Sequence, residues 1–283
     1  MMNELTIAAV CMNVPIGEIE QNLKRMENFV REATAQGADL ICFPELSITG
    51  YRLELPADIY AGFQPAKALK KVEAMARKHR LIILAGMVEP SDGAKPYISQ
   101  IVAGPDGLLG VYRKTHLSPN EKDTYRAGRK IEVFSMKGIC FGIQLCYESH
   151  FPEISTIMAL QGAEILLIPH ASPRGSPAEK AESWLRHLPS RAFDNGLYVV
   201  AHNQVGDNHN GFLFPGVAIA LNPSGRVMTI YRGYEEKMML VHVTKEELEE
   251  TRTHRMKYFL PNRRPELYRE INSPDCTVPE ITQ

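Results

Sequence analysis

The sequence predicts an α/β sandwich with mixed sheets, and three observations lead there. Apolar, β-rich runs alternate along the chain with segments whose apolar residues recur at helical spacing. Some strand pairs are joined by tight turns and others by helices, so antiparallel and parallel pairing must coexist. No Gly/Ser linker breaks the 283 residues, and no repeat of about 20 to 50 residues is present. One layered domain with a C-terminal tail is therefore the simplest organisation.

Residues 5–12 are apolar and β-rich. Residues 17–36 place Ile19, Leu23, Met26, Val30 and Ala33 on one helical face, with Gly37 as the cap. Residues 40–43 form a short buried strand that runs into Pro44. Residues 66–79 read as a second helix and 81–87 as a strand. Residues 98–103 and 108–112 flank Gly104-Pro105-Asp106-Gly107 and read as a hairpin. The second half repeats the style, with a strand at 139–145, a helix at 152–160 opened by Pro152, and a strand at 165–169. Residues 180–195 read as one helix closed by Gly196. A strand at 198–202 follows, and 217–221 pairs with 226–231 across Asn222-Pro223-Ser224-Gly225. Residues 238–243 close the set, and Thr244-Lys245-Glu246-Glu247 opens a short helix with a capping box.

Composition removes several classes of function. With 44% hydrophobic and 23% charged residues, the chain is neither disordered nor fibrous. Its 32 basic and 33 acidic residues give a net charge of −1, without the basic excess that nucleic-acid binding by phosphate neutralisation requires. The most basic stretch (Arg252, Arg255, Lys257, Arg263, Arg264, Arg269) is interleaved with Glu249, Glu250, Glu266 and Glu270 and reads as a solvated or interface face. No apolar run approaches the roughly 20 residues of a membrane span. The beginning Met1-Met2-Asn3-Glu4 lacks a basic signal-peptide region, so a cytoplasmic location is expected. Five cysteines (Cys11, Cys42, Cys140, Cys146, Cys276) without paired spacing point to free thiols in a reducing compartment.

Reactive groups of α/β sheets gather beyond the carboxyl ends of strands. Three stand there: Glu45 after 40–43, Lys114 after 108–112, and Cys146 after 139–145. Taken singly, each has a bland alternative, a buried inert thiol or a surface charge. Together they make a coherent site, with Cys146 as nucleophile, Glu45 as its base and Lys114 as oxyanion donor. The strand-to-turn setting of Cys146, ahead of Pro152, matches a nucleophile elbow. Cys11, Cys42 and Cys140 lie inside apolar strands and read as core.

The segments Phe43-Pro44-Glu45-Leu46, Tyr112-Arg113-Lys114-Thr115-His116-Leu117 and Cys146-Tyr147-Glu148-Ser149-His150-Phe151-Pro152-Glu153 resemble, in order and spacing, the three signatures of the nitrilase superfamily of carbon–nitrogen hydrolases. The resemblance continues through Trp184 to Asn195, Asn203, and Gly216 to Gly225, and reaches Arg263-Arg264-Pro265-Glu266-Leu267-Tyr268. It implies a four-layer αββα sandwich, a Glu45-Lys114-Cys146 triad and a second glutamate, Glu121, that orients Lys114 or the substrate nitrogen. From the residues alone Glu121 reads as a loop surface charge. The resemblance also implies a hydrolase domain over 1–260, a tail over 261–283 at a subunit interface, a homodimer or higher homo-oligomer, and chemistry without a cofactor.

Many amidases of that superfamily show Cys-Tyr-Asp-x-Arg at the nucleophile, and true nitrilases show Cys-Trp-Glu. Cys146-Tyr147-Glu148 lies between the two, and the tyrosine favours amides. The expected function is cleavage of a small linear amide or N-carbamoyl compound through a thioester, with the backbone N–H of Tyr147 as a second oxyanion donor. Nitrile hydrolysis and a non-catalytic scaffold are the alternatives. Substrate selection is expected in 170–184, where His170, Ser172 and Arg174 can meet the substrate's far end, Arg174 by pairing with a carboxylate. Tyr51 can wall the pocket. His202 and His209 around Asp207 lack any metal-site pattern, so no metal is expected. His116 and His150 beside the reactive residues raise a papain-type Cys/His alternative, which lacks that family's signature around the cysteine.

Overall fold

In the computed structural model, which describes residues 4–54, 63–92, 95–136 and 138–268, the alternation of the sequence becomes two six-stranded mixed sheets. The first half of the chain forms β1 (Glu4–Cys11), α1 (Ile19–Ala35), β2 (Leu40–Cys42), α2 (Pro65–His79), β3 (Ile82–Glu89), β4 (Tyr97–Gly104) and β5 (Gly107–Arg113). The second half forms β6 (Val133–Met136), β7 (Ile139–Ile143), α3 (Pro152–Leu160), β8 (Ile165–His170), α4 (Pro177–Leu185), α5 (Leu188–Asn195) and β9 (Tyr198–Asn203). A short pair, β10 (Gly206–Asp207) and β11 (Leu213–Phe214), precedes β12 (Gly216–Leu221), β13 (Val227–Gly233), β14 (Lys237–Thr244) and α6 (Lys245–Thr253).

The sheets have the orders β14-β1-β2-β3-β4-β5 and β13-β12-β9-β8-β7-β6. Each has a parallel centre, β1-β2-β3 or β7-β8-β9, flanked by antiparallel strands. The period-two alternation of β1 explains the layering. Leu5, Ile7, Ala9 and Cys11 pack in the core that the two sheets share, while Ala8, Val10 and Met12 pack with Leu23, Met26 and Val30 of α1 and Val72 and Ala76 of α2. With both faces buried, the central strands read as unbroken apolar runs. Ile154 and Met158 of α3, Trp184 of α4 and Leu188 of α5 cover the second sheet. The result is the αββα order.

Three expectations need correction. Residues 180–195 are two helices, because Pro189 has no N–H for the Leu185 carbonyl and its ring would clash with that group; α4 stops at Leu185 and α5 restarts at Leu188. The capping box at Thr244 is half-formed. Its hydroxyl accepts from the Glu247 N–H at 3.3 Å, but the Glu247 carboxylate turns to Tyr198 OH (2.6 Å) and Asn222 Nδ2 (2.7 Å), tying α6 to the second sheet. Cys140 is only half-buried, since β7 pairs with the edge strand β6 there; Cys11 and Cys42 are fully buried, and burial pushes the Cys11 thiol up to about 12. The edge strand β6 and the β10–β11 pair are additions to the predicted elements.

Arg252 departs from the solvated reading of the basic stretch by donating to the carbonyls of Gly196 (3.1 Å) and Ala163 (2.7 Å). Beyond α6 the chain makes two short 3₁₀ turns, Leu260–Asn262 and Pro265–Leu267. Arg269, Glu270, Cys276 and the rest of the tail to 283 lie outside the described residues, as do Met1 to Asn3. No helix among the described residues is long and apolar enough to cross a membrane.

Candidate active site

The carboxyl ends of β2, β7 and β8 and the end of β5 meet at one edge of the sandwich, and each carries a reactive or pocket-forming group. Past β2 the backbone is pinned on every side. Phe43 N–H donates to Leu84 O (2.9 Å), Gln100 Nε2 to Phe43 O (3.1 Å) and Gln204 Nε2 to Glu45 O (2.8 Å). Gly86 permits the closeness of β3, because a Cβ there would stand 2.2 Å from the Leu46 nitrogen. Glu45 is thus aimed inward and fully buried. Its Oε1 accepts from Lys114 Nζ at 2.8 Å, across 69 residues of sequence, and its Oε2 accepts from the Ala171 N–H at 2.9 Å.

Lys114 follows β5, its N–H bonded to Ile98 O (2.9 Å) and its carbonyl to the Gly128 N–H (2.7 Å). Its ammonium is fully buried and also donates to Glu121 Oε1 at 2.9 Å. Glu121 is not a surface charge. It ends the 3₁₀ turn Pro119–Glu121, where a capping box with Ser118 fixes it; its Oε2 accepts the Ser118 N–H at 2.7 Å, and it is 2% exposed. One cation is therefore held between two buried carboxylates.

Cys146 has φ +49°, a left-handed conformation uncommon for a residue with a Cβ. It opens the 3₁₀ turn Cys146–His150, which Gln144 and Leu145 join to the end of β7. The Tyr147 N–H stands in the first turn, where a helix has no acceptor of its own to offer. The turn is locked from below by Ser149 Oγ donating to Cys146 O (2.8 Å), Arg191 Nε to Ser149 O (2.9 Å) and Arg191 Nη2 to His150 O (3.1 Å).

The electrostatics follow from burial and proximity. Burial pushes the Glu45 carboxyl up, Lys114 pulls it back and Glu121 adds to the rise, leaving it at about 7. Burial alone would lower the Lys114 ammonium, but Glu45 and Glu121 outweigh it and hold the group well above its ordinary range. The Cys146 thiol is pushed up by burial and by Glu45, against a pull from Lys114 and the Ala171 N–H. At rest the sulfur keeps its proton, so attack on a substrate needs a base in the same step.

A cavity of about 230 Å³ opens over Cys146 and Glu121. All five predicted substrate-facing residues line it, namely Tyr51, Tyr147, His170, Ser172 and Arg174, together with His150, Trp184 and Phe212. The Ser172 hydroxyl already accepts from Lys180 Nζ at 2.8 Å. His170 stacks on Trp184 with centroids 3.9 Å apart and bonds its Nδ1 to Ile168 O. His116 instead packs against Phe151 in a tilted pair, centroids 4.3 Å apart. Among the described residues no histidine is hydrogen-bonded to Cys146, which removes the support for a papain-type pair. His202 bonds its Nδ1 to Val10 O inside the sandwich, and no group of three or more His, Cys, Asp or Glu among the described residues could hold a metal ion.

Sequence reasoning missed Gln204 and Lys180. Gln204 and Lys180 carry no motif of their own, and only the fold brings them to the strand ends. Arg191 stood in the Trp184 to Asn195 stretch that carries the resemblance, but nothing there indicated its partners.

The carbon-nitrogen hydrolase family model matches residues 6–253. A protein named nitrilase from Pyrococcus abyssi is 30% identical over 93% of this chain and 98% of its own length. An N-carbamoylputrescine amidase from Arabidopsis thaliana is 29% identical over 91% of this chain and 92% of its own. Among solved structures, an amidase from Nesterenkonia sp. superposes with a TM-score of 0.79 at 25% identity, covering 94% of this chain and 96% of that one. A variant of that amidase shows acrylamide joined by Michael addition to its active-site cysteine. The buried Glu-Lys-Glu arrangement beside a strand-end cysteine, the two-sheet sandwich and these likenesses agree: the chain belongs to the carbon–nitrogen hydrolase family and is an amidohydrolase acting on non-peptide C–N bonds.

Proposed function

We propose that this protein hydrolyses a small linear amide or N-carbamoyl compound through a thioester on Cys146, and one observation carries the reading. A single buried ammonium, Lys114, is held between Glu45 and Glu121 beside the sulfur. In the first half-reaction Glu45 takes the thiol proton as sulfur attacks the carbonyl carbon, and Lys114 and the Tyr147 N–H hold the oxyanion. The protonated Glu45 gives that proton to the leaving nitrogen as the C–N bond breaks, which releases ammonia or an amine. Glu45 then draws a proton from water as it attacks the thioester, and returns it to the sulfur as the acid leaves. Glu121 keeps Lys114 charged and in place.

The test is intact-protein mass spectrometry after mixing with amides, N-carbamoyl amino acids and nitriles, alongside Cys146→Ala. A mass gain that needs Cys146, with acid and ammonia or amine as products, supports the reading. Turnover by Cys146→Ala would refute it, and turnover of nitriles with inert matching amides would move the chemistry to the nitrilase branch.

The substrate's far end is a carboxylate in this reading. Arg174 stands at the pocket mouth, and no carboxylate among the described residues is paired with it. Lys180, half-buried, donates to neutral acceptors alone among the described residues, Ser172 Oγ (2.8 Å) and Pro173 O (3.1 Å). Burial lowers the Lys180 ammonium, Cys146 opposes that, and the charge of Arg174 adds to the fall. Two cations with no anion paired to them among the described residues favour a negative substrate group and repel an ammonium tail such as that of N-carbamoylputrescine. Arg174→Glu should therefore cut kcat/KM for a carboxylate-bearing substrate by about 10- to 100-fold, the worth of one charged hydrogen bond. An uncharged analogue should change little, and an equal loss for both would remove Arg174 from the binding site.

A further inference from the structure

We propose that Glu148 is a positioning residue that fixes the spacing between Lys114 and Cys146. The proposal rests on the reading of those two residues as oxyanion donor and nucleophile. Glu148 lies two residues past the cysteine and is 0% exposed. Its Oε1 accepts from Tyr112 OH (2.9 Å), the Thr115 N–H (2.7 Å) and the Thr115 hydroxyl (2.5 Å), and its Oε2 accepts from the Leu145 N–H (2.6 Å). Tyr112 and Thr115 bracket Lys114 on the strand end of the first sheet. Leu145 immediately precedes Cys146 on the strand end of the second. One carboxylate thus spans the gap between two sheets and grips the neighbours of both reacting side chains.

The residue type is informative. Every hydrogen-bonding partner of Glu148 is a neutral donor, and no cation is paired with it among the described residues. Burial pushes its carboxyl up, and the hydrogen bonds from Thr115, Leu145 and Tyr112 oppose that. An uncompensated buried charge is an expensive way to fill space. Only a carboxylate, however, accepts at both oxygens; a glutamine offers one acceptor and one donor. Whichever way the amide turns, it sets an N–H against the Leu145 N–H or against the Tyr112–Thr115 donors.

The grip falls where precision matters. The left-handed backbone of Cys146 persists only if its surroundings over-determine it. Glu148 holds the residue before it, while Ser149 and Arg191 hold the turn after it. An oxyanion pocket made partly by Lys114 and partly by the elbow is only as exact as the link between its two halves.

The experiment compares wild type, Glu148→Gln, Tyr112→Phe and Thr115→Val by steady-state kinetics and single-turnover acylation of Cys146, with active-site titration counting folded enzyme. Glu148→Gln should lower kcat and the acylation rate per folded site by about 10- to 100-fold, the size of loss known for the outer hydrogen-bond partners of metal ligands, with KM nearly unchanged. Tyr112→Phe and Thr115→Val each remove one donor and leave the carboxylate, so each should lose less, in the same direction. Glu148→Gln that acylates at the wild-type rate per folded site overturns the proposal, even if its yield or melting temperature falls. If Glu148→Gln does not fold, wild-type acylation by both single-donor variants overturns it. Turnover by Cys146→Ala would instead sink the underlying assignment of the nucleophile.

Discussion

Glutamine in place of Glu45 is expected to lower kcat/KM by at least about 10³-fold, near the upper range for losing a general base, while the chain still folds. The side chains match in shape, and the amide oxygen can still accept from Lys114 Nζ, now 2.8 Å from the carboxylate. What disappears is the group that takes the Cys146 proton in the proposed mechanism. Burial, the largest cause, and Glu121 still push that thiol up in the variant, against the pull of Lys114, so little thiolate forms without a base. The amide also turns a donor toward the Ala171 N–H, which today bonds Oε2 at 2.9 Å. The pH profile gives an independent check. A carboxyl pushed up to about 7 by burial is protonated, and useless as a base, below that pH. Wild-type kcat/KM should therefore fall about tenfold per pH unit on the acid side, the slope of a single titrating group, and this limb should vanish from the residual activity of Glu45→Gln. A wild-type profile flat through neutrality, or a glutamine variant within tenfold of wild type, would mean that another group is the base.

Those effects depend on features that the sequence disclosed unequally. Glu45, Lys114 and Cys146 were legible because each follows an apolar strand run, and position at a strand end follows from local pattern. The layered fold was legible for the same reason, since two buried faces leave continuous apolar runs in β1, β3, β8 and β9. Glu121 was not legible from its own surroundings, because Ser118-Pro119-Asn120-Glu121 is also the composition of an exposed turn; its burial depends on Lys114 reaching it from outside the turn. Glu148 was visible only as a departure from a motif. Its partners Tyr112 and Thr115 come from the other sheet, and the packing of one sheet on another is a long-range fact that no window of sequence carries. Pro189 shows the opposite failure, a local signal strong enough to split a helix but overridden in reading by the apolar period around it.

Lys114→Met should be the most damaging single exchange, because it removes catalysis and stability together. Loss of an oxyanion donor lowers kcat by about 10²- to 10³-fold. Methionine fills much of the same volume, so packing is largely conserved, but Glu45 and Glu121 are left in the interior with no cation between them. Breaking a buried pair by deleting one partner costs about 3–5 kcal/mol, which should appear as a clear drop in melting temperature at neutral pH. The deficit should shrink in acid, and the sign follows from linkage. Without Lys114, whose charge lowers it, the Glu45 carboxyl lies further above its ordinary value of 4.5. The folded variant then binds a proton that the unfolded chain releases, so acidification favours its folded state until the unfolded carboxyl titrates as well. Adding Glu121→Gln to Lys114→Met removes one of the stranded charges and should recover part of the stability and none of the activity. Melting curves of the three proteins at neutral and mildly acidic pH decide the matter. If Lys114→Met melts like wild type at neutral pH, the ammonium is not the counter-charge of the two carboxylates. If it turns over within tenfold of wild type, the oxyanion is held elsewhere.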